Sequence, residues 1–140
     1  MTISVWALLA FAMWTIAVLV LGVGVHRWSL ILTGRAELKS FPADEPHGSP
    51  LYRRIMRAHA NCVENLPVFG TIVLAAEAAG ASSPTLHVLA VVIIVARILQ
   101  TTAHITSGAN PAIAVRFAFF SVQLGAFVWM AALVVSKAMA

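Results

Sequence analysis

The feature that most constrains this chain is a long N-terminal segment without any charged side chain. Residues 1–25 contain no Asp, Glu, Lys or Arg. A helix rises about 1.5 Å per residue, so this segment is longer than the roughly 30 Å hydrocarbon core of a bilayer requires. The chain of 140 residues is 61% hydrophobic and only 10% charged, which leaves too little polar surface to cover a soluble globule. We therefore predict an all-α integral membrane protein.

Three further apolar segments follow, and residues that favour turns separate them. Gly80 to Pro84 forms one short turn, and Ser107 to Pro111 forms another. A charged segment with three prolines, between His26 and Arg54, is expected to lie outside the bilayer. We predict one transmembrane domain over residues 1–140, a four-helix bundle with helices at about 2–33, 51–80, 85–106 and 112–137.

The basic residues crowd one side of this predicted bundle. Four spans place both termini on one side and the first and third connections on the other. These two connections and their flanks carry most of the positive charge, in Arg27, Arg35, Lys39, Arg53, Arg54 and Arg116. By the positive-inside rule the two connections are cytoplasmic, and we expect a bacterial inner membrane with periplasmic termini. The net charge of +4 is thus assigned to membrane orientation, and no nucleic-acid partner is expected.

Polar side chains continue from the loop into the second apolar segment and share one helix face. At about 100° per residue, five of them fall within a sector of about 100°, namely Arg54, Arg57, Asn61, Glu64 and Asn65. The third segment has a polar face with Arg97, Gln100, Thr101 and His104, and the fourth has a polar stripe with Arg116 and Gln123. Ionisable residues within a membrane are costly, so these faces mark structural pairs or a functional site.

The depths of these charges predict one ion pair and a shallow cationic layer. The helical rise places Glu64 and Arg97 roughly 15 Å from the cytoplasmic ends of their helices, so we expect them to pair. Arg57, His104 and Arg116 lie at roughly 4 to 8 Å. The pair is either a structural clamp or part of a reaction, and the arginines either reach lipid phosphates or bind a ligand. Such a pocket suits a small anion with carboxylates, which arginine holds in a two-pronged geometry.

The sequence gives no sign of a metal site or of an activated nucleophile. The histidines are scattered and lack paired carboxylates at ligand spacing. No hydroxyl or thiol with an adjacent base is recognisable. The single cysteine, Cys62, excludes an internal disulfide and is expected to be a packing residue.

The second segment carries the pattern R-x-x-R-A-H-x-N-x-x-E-N-x-P from Arg54 to Pro67. This pattern resembles the signature of the MAPEG family, the membrane-associated proteins in eicosanoid and glutathione metabolism. Leu32 to Arg35, Ala96 with Arg97, the chain length and the four-span plan extend the resemblance over nearly the whole chain. The resemblance implies a homotrimer of four-helix subunits, with glutathione bound between neighbouring subunits near the cytosolic side.

The resemblance also implies roles for the polar residues of the second and third helices. Arg57, Asn61 and Glu64 stand where glutathione contacts lie in family members, and Arg54 and Arg97 stand where structural arginines support that cofactor-binding set. In this hypothesis Arg57 holds a carboxylate, and Asn61 and Glu64 bind the peptide portion. Arg97 neutralises and positions Glu64.

The match to the family weakens in the third and fourth helices. His104 stands in place of a tyrosine, and Ile113 stands in place of the arginine that polarises the thiol. The accompanying serine and tyrosine are replaced by Ala114 and Phe117. Arg116 lies three residues after Ile113, on the same side of the helix, so we expect Arg116 and His104 to be the catalytic residues.

We therefore predict a membrane-embedded, glutathione-dependent transferase or peroxidase-like protein without a metal. Glutathione is its co-substrate, and a small hydrophobic electrophile reaches it from the membrane lipid. Two alternatives stay open. A non-catalytic trimeric membrane protein could retain the fold for assembly alone. A small proton-coupled exporter also has four short helices and a membrane Glu, but its carboxylate must exchange a proton freely, whereas Glu64 has Arg97 at matching depth.

Overall fold

The computed structural model describes residues 1–42 and 47–139, and four long helices dominate this part of the chain. The helices are α1 (Ile3–Leu32), α2 (Pro50–Ala78), α3 (Pro84–Thr106) and α4 (Asn110–Ala138). Their ends fall within two residues of the bounds predicted from the sequence, so the prediction of four helices is confirmed. The first predicted loop includes residues 43–46, which lie outside the described residues, as does residue 140.

Short polar side chains and prolines determine where the four helices begin. The hydroxyl oxygens of Thr2, Ser49 and Ser83 accept hydrogen bonds from backbone N–H groups in the first turns of α1, α2 and α3. Proline occupies the first turn of α2, α3 and α4, where its missing N–H leaves no carbonyl unpaired. These N-terminal signals can be recognised in the sequence because they act within three or four residues.

The C-terminal end of α1 is a Schellman motif centred on Gly34. The Gly34 N–H donates to the Ile31 carbonyl at 3.0 Å, and the Arg35 N–H donates to the Leu30 carbonyl at 2.9 Å. Gly34 has a φ of 67°, a conformation that glycine adopts without a steric penalty. The helix therefore stops where the sequence predicted that it would, at Thr33 and Gly34.

A π-helical segment interrupts α1 over Val18–Gly24. The sequence did not predict it, because these seven residues are apolar and compatible with an ordinary α-helix. Within this segment Gly22 lies against α2, where a Cβ atom would collide with the side chain of Ile55. The wider turn and the missing side chain bring α1 and α2 close together at this level.

Helix α2 packs against the other three helices, and large apolar side chains fill the space between them. The Phe69 ring lies 5.8 Å from the Phe11 ring and 6.1 Å from the Phe127 ring, measured between centroids. By length and composition α1, α3 and α4 are apolar enough to cross a membrane. Helix α2 is 29 residues long, but the polar side chains on one of its faces make it less apolar than these three helices, and it is not counted among them.

Candidate functional site

A cavity of about 520 Å³ opens on the side of the bundle where α2, α3 and α4 meet. We call it the α2–α4 cavity. Its lining comprises Arg57, Asn61 and Glu64 from α2, Gln100 and His104 from α3, and Ile113, Arg116, Phe117 and Phe120 from α4. Five of the seven predicted site residues therefore lie together, namely Arg57, Asn61, Glu64, His104 and Arg116.

The α2 side of the cavity follows from helical spacing. Arg57, Asn61 and Glu64 are separated by four and three residues, so they stack along one face. Arg57 and Glu64 are exposed and Asn61 is half-buried in the chain. The side chains thus face out of the bundle, which leaves room for a molecule or a second chain against them.

On the opposite wall, Arg116 of α4 contacts the ring of His104 on α3. An Arg116 Nη atom donates to His104 Nδ1. Because arginine only donates hydrogen bonds, Nδ1 must be the acceptor, and the ring proton is assigned to Nε2. His104 Nε2 is buried and has no hydrogen-bond partner among the described residues. The ring therefore holds one buried N–H donor that has no acceptor in the described part of the chain.

Two glutamines behind Arg116 join α3 to α4. Gln123 Nε2 donates to Gln100 Oε1 at 3.0 Å, and Gln100 Nε2 donates to the Arg116 carbonyl at 3.2 Å. Gln123 is fully buried, and Gln100 is 7% exposed. The sequence placed both residues on polar helix faces but assigned them no role. Their signal was the three-residue spacing between Arg97 and Gln100, and the seven-residue spacing between Arg116 and Gln123.

The predicted site residue Arg54 lies outside the cavity. Its Nε donates to the carbonyl of Ile105 at 3.0 Å, in the last turn of α3. A carbonyl in the last turn of a helix has no intrahelical donor, and a cation is favourable there. Arg54 therefore connects α2 to the end of α3.

Arg97 also lies outside the cavity, inside the bundle. It is 1% exposed, and its Cζ atom lies 5.3 Å from the centroid of the Phe11 ring. Nε and Nη2 of Arg97 have no hydrogen-bond partner among the described residues. Its position supports the structural role that the resemblance implies, because it touches the core and not the cavity.

The predicted ion pair between Glu64 and Arg97 is wrong, because the two side chains form no direct ion pair in the described part of the chain. Among the described residues the only ion pair joins Lys39 and Glu37, at 2.8 Å. Arg97 lies beside Cys62, which precedes Glu64 by two residues and so points about 200° away from it on α2. Equal depth along the bundle axis does not determine the direction in which a side chain points.

The lining of the α2–α4 cavity suits a small anion that lies beside an apolar molecule. Two arginines and one glutamate leave an excess of one positive charge. Amides of Asn61 and Gln100 add hydrogen-bonding groups, and Phe117 and Phe120 form an apolar side. No group of three or more His, Cys, Asp or Glu that could hold a metal ion occurs in residues 1–42 and 47–139.

The fold and this cavity define a class of protein. It is an all-helical membrane protein with a site on the outer face of the bundle that is lined by two arginine side chains. Comparison with known families then gives the family itself. The chain belongs to the MAPEG family, whose model matches residues 3–136, nearly the whole chain. The resemblance seen in the sequence is thereby confirmed. A search of curated proteins finds no match.

Proposed function

We propose that this protein binds glutathione, or a related anionic thiol, in the α2–α4 cavity and transfers it to hydrophobic electrophiles or uses it to reduce hydroperoxides. The observation that carries the proposal is the convergence of Arg57, Asn61, Glu64, His104 and Arg116 on one cavity of about 520 Å³. Cavities that bind small molecules typically measure about 300 to 1,000 Å³. Family membership is consistent with this function.

The chemical groups of glutathione match the lining one by one. One of its two carboxylates suits Arg57, since a guanidinium binds a carboxylate with two parallel hydrogen bonds. Its ammonium group suits Glu64, and its peptide groups suit the amides of Asn61 and Gln100. The excess positive charge of the lining complements the net negative charge of the ligand.

A homotrimer belongs to the same proposal. Glu64 is exposed on the outside of the isolated subunit, although helical rise places it roughly 21 Å from the first residue of α2, at the middle of that helix. A charged side chain that faces lipid at this depth costs several kcal/mol. A neighbouring subunit over the α2–α4 cavity removes this cost and completes the site. Native mass spectrometry is expected to give three times the mass of the chain.

His104 and Arg116 supply the activation that the thiol needs. A free thiol has a pKa of about 8.5, so a nearby donor or cation must stabilise the thiolate. Arg116 lines the cavity and holds the His104 ring beside it, and its remaining N–H donors stabilise the sulfur anion while the thiol proton passes to water. The thiolate then forms a bond to the electrophilic atom and the leaving group departs with its bonding electron pair, beside Phe117 and Phe120, which accept an apolar molecule from the bilayer.

The experiment that tests this function is thermal unfolding of the detergent-solubilised protein with and without glutathione. A ligand that binds only the folded state stabilises it by about 2.7 kcal/mol at a hundredfold excess over the dissociation constant. We expect a stabilisation in the wild type that is lost in Arg57→Ala. Arg53→Ala is the matched control, because Arg53 is exposed and does not line the α2–α4 cavity. No stabilisation of the wild type would contradict the proposal.

One observation favours each of the two alternatives, a non-catalytic membrane protein and a proton-coupled exporter. Ile113 lines the cavity where the family pattern has an arginine, which favours binding without catalysis. Glu64 forms no direct ion pair with any described residue, which favours a proton-coupled exporter. However, the two arginines that line the same cavity cannot take part in proton transport, because arginine does not release its proton. Transport driven by a pH gradient in proteoliposomes, abolished by Glu64→Gln, would support the exporter.

A further inference from the structure

A second cavity, of about 330 Å³, lies between α1, α2 and α3. We call it the α1–α3 groove. Thr102 and Thr106 of α3 line it, whereas Gln100 and His104 line the α2–α4 cavity. Residues two apart on a helix point about 200° apart, so the two cavities lie on opposite faces of α3. The groove is therefore separate from the proposed glutathione site.

The π-helical segment of α1 and its small residues create the groove. Ala17, directly before the segment, and Gly22, within it, line the groove, and Ile55 of α2 closes one side. These positions lack the large side chains that would fill the space. From Gly22 to Trp14, which lines the deeper end, the helical rise gives a length of about 12 Å.

The lining offers no free hydrogen-bonding group along the groove. Thr102 Oγ1 donates to the Ile98 carbonyl at 2.9 Å, and Thr106 Oγ1 donates to the Thr102 carbonyl at 3.0 Å. Trp14 Nε1 donates to Thr101 Oγ1 at 3.3 Å. Because every one of these polar groups is already bonded within the subunit, the groove suits a purely apolar chain.

Arg54 does not line the groove itself but contacts a lining residue near the C-terminal end of α3. Arg54 Nε donates to the carbonyl of Ile105, whose residue also lines the groove. A guanidinium has five N–H donors, so Arg54 can bind a phosphate oxygen through its terminal nitrogens. An apolar channel with an arginine at its membrane-surface end complements a lipid that has an anionic headgroup.

We propose that the α1–α3 groove binds one anionic phospholipid, with an acyl chain against Ala17 and Gly22 and the phosphate on Arg54. The proposal is independent of glutathione, since the two cavities share no lining residue. The bound lipid occupies the space left by the π-helical segment and joins α1 to the end of α3.

Native mass spectrometry of the detergent-solubilised protein tests this proposal. The protein is mixed with phosphatidylglycerol or phosphatidylcholine of the same acyl chains, without glutathione. We expect one phosphatidylglycerol per chain to remain bound, with about a fivefold preference over phosphatidylcholine, because one arginine near an anionic headgroup contributes about 1 kcal/mol. Arg54→Gln is expected to lose the preference, and Arg53→Gln, the exposed neighbouring arginine, to retain it.

A second pair of variants tests the groove itself. Ala17→Phe, or the milder Ala17→Leu, fills the groove and is expected to remove the bound lipid of either kind. Ala132→Phe is the control, because Ala132 is exposed on α4 and lines neither cavity. Unchanged lipid binding in both folded Ala17 variants would overturn the proposal. Dissociation of the oligomer by these variants would also overturn it, because the groove would then be covered by a second copy of the chain.

Discussion

At the scale of single residues, the site depends on which side chain reaches the reacting sulfur. Position 113 holds isoleucine, and this residue lines the α2–α4 cavity together with Arg116. Arg116 also contacts His104, whose other ring nitrogen has no partner among the described residues. In the proposed function these two residues of α3 and α4 take the role that one arginine has in the family pattern.

This assignment predicts the behaviour of variants at positions 116 and 113. Arg116→Gln is expected to lower the rate of conjugation of chlorodinitrobenzene with glutathione about a hundredfold, the typical loss when one donor to a developing anion is removed. Adding Ile113→Arg is expected to restore part of that rate, since both positions line one cavity. Ile113→Leu in the same background is the control. Equal rates in the wild type and Arg116→Gln would remove Arg116 from the mechanism.

The buried glutamine pair gives a second prediction at this scale. Gln123→Leu leaves Gln100 Oε1 without its donor, and an unsatisfied buried polar group costs about 1 to 3 kcal/mol. We expect a lower unfolding temperature and weaker glutathione binding, because Gln100 also bonds the backbone of Arg116. Ser121→Ala is the control, since its exposed hydroxyl bonds only its own helix. Calorimetric titration would refute the coupling if both variants bound glutathione equally.

At the scale of secondary structure, the ends of the helices have local causes and the π-helical segment does not. Thr2, Ser49 and Ser83 cap helices through hydrogen bonds to residues three positions later. The segment Val18–Gly24 instead coincides with the close approach of α1 to α2 at Gly22. Its conformation therefore reflects packing against another helix.

Gly34 allows a direct test of a local cause. A Cβ atom there would meet nothing within 4 Å, so any cost of Gly34→Ala comes from its φ of 67°. We expect a loss of about 1 kcal/mol in the free energy of unfolding, from the steric cost of the left-handed conformation. Gly108→Ala is the matched control, because it also meets nothing within 4 Å and has no positive φ. Denaturant titration in detergent that showed equal losses would contradict this explanation.

At the scale of the whole molecule, the distribution of charge predicts how the bundle is oriented. The connection between α1 and α2 and the helix ends that flank it carry five basic residues, Arg27, Arg35, Lys39, Arg53 and Arg54, whereas the turn between α2 and α3 has none. Cytoplasmic loops of membrane proteins carry the excess of Lys and Arg. We therefore propose that the turn between α2 and α3 faces the periplasm, as do the termini.

Labelling with a membrane-impermeant maleimide tests this orientation. We expect Ser82→Cys to react in intact cells, because it lies in the turn between α2 and α3. Gly108→Cys, between α3 and α4, is expected to react only after the cells are opened. The natural Cys62 is fully buried and gives little background. The reverse labelling pattern would show that the protein is inserted with its basic connections outside.

The sequence alone determined the number of helices, their ends and the polar faces that meet at the α2–α4 cavity. These features depend on hydropathy, capping and helical spacing, which act between residues close in the chain. The direction of Arg97 and Glu64 was decided only by tertiary structure, and so was the α1–α3 groove. The rotation of each helix about its axis depends on packing against all its neighbours at once, and depth along the chain carries no information about it.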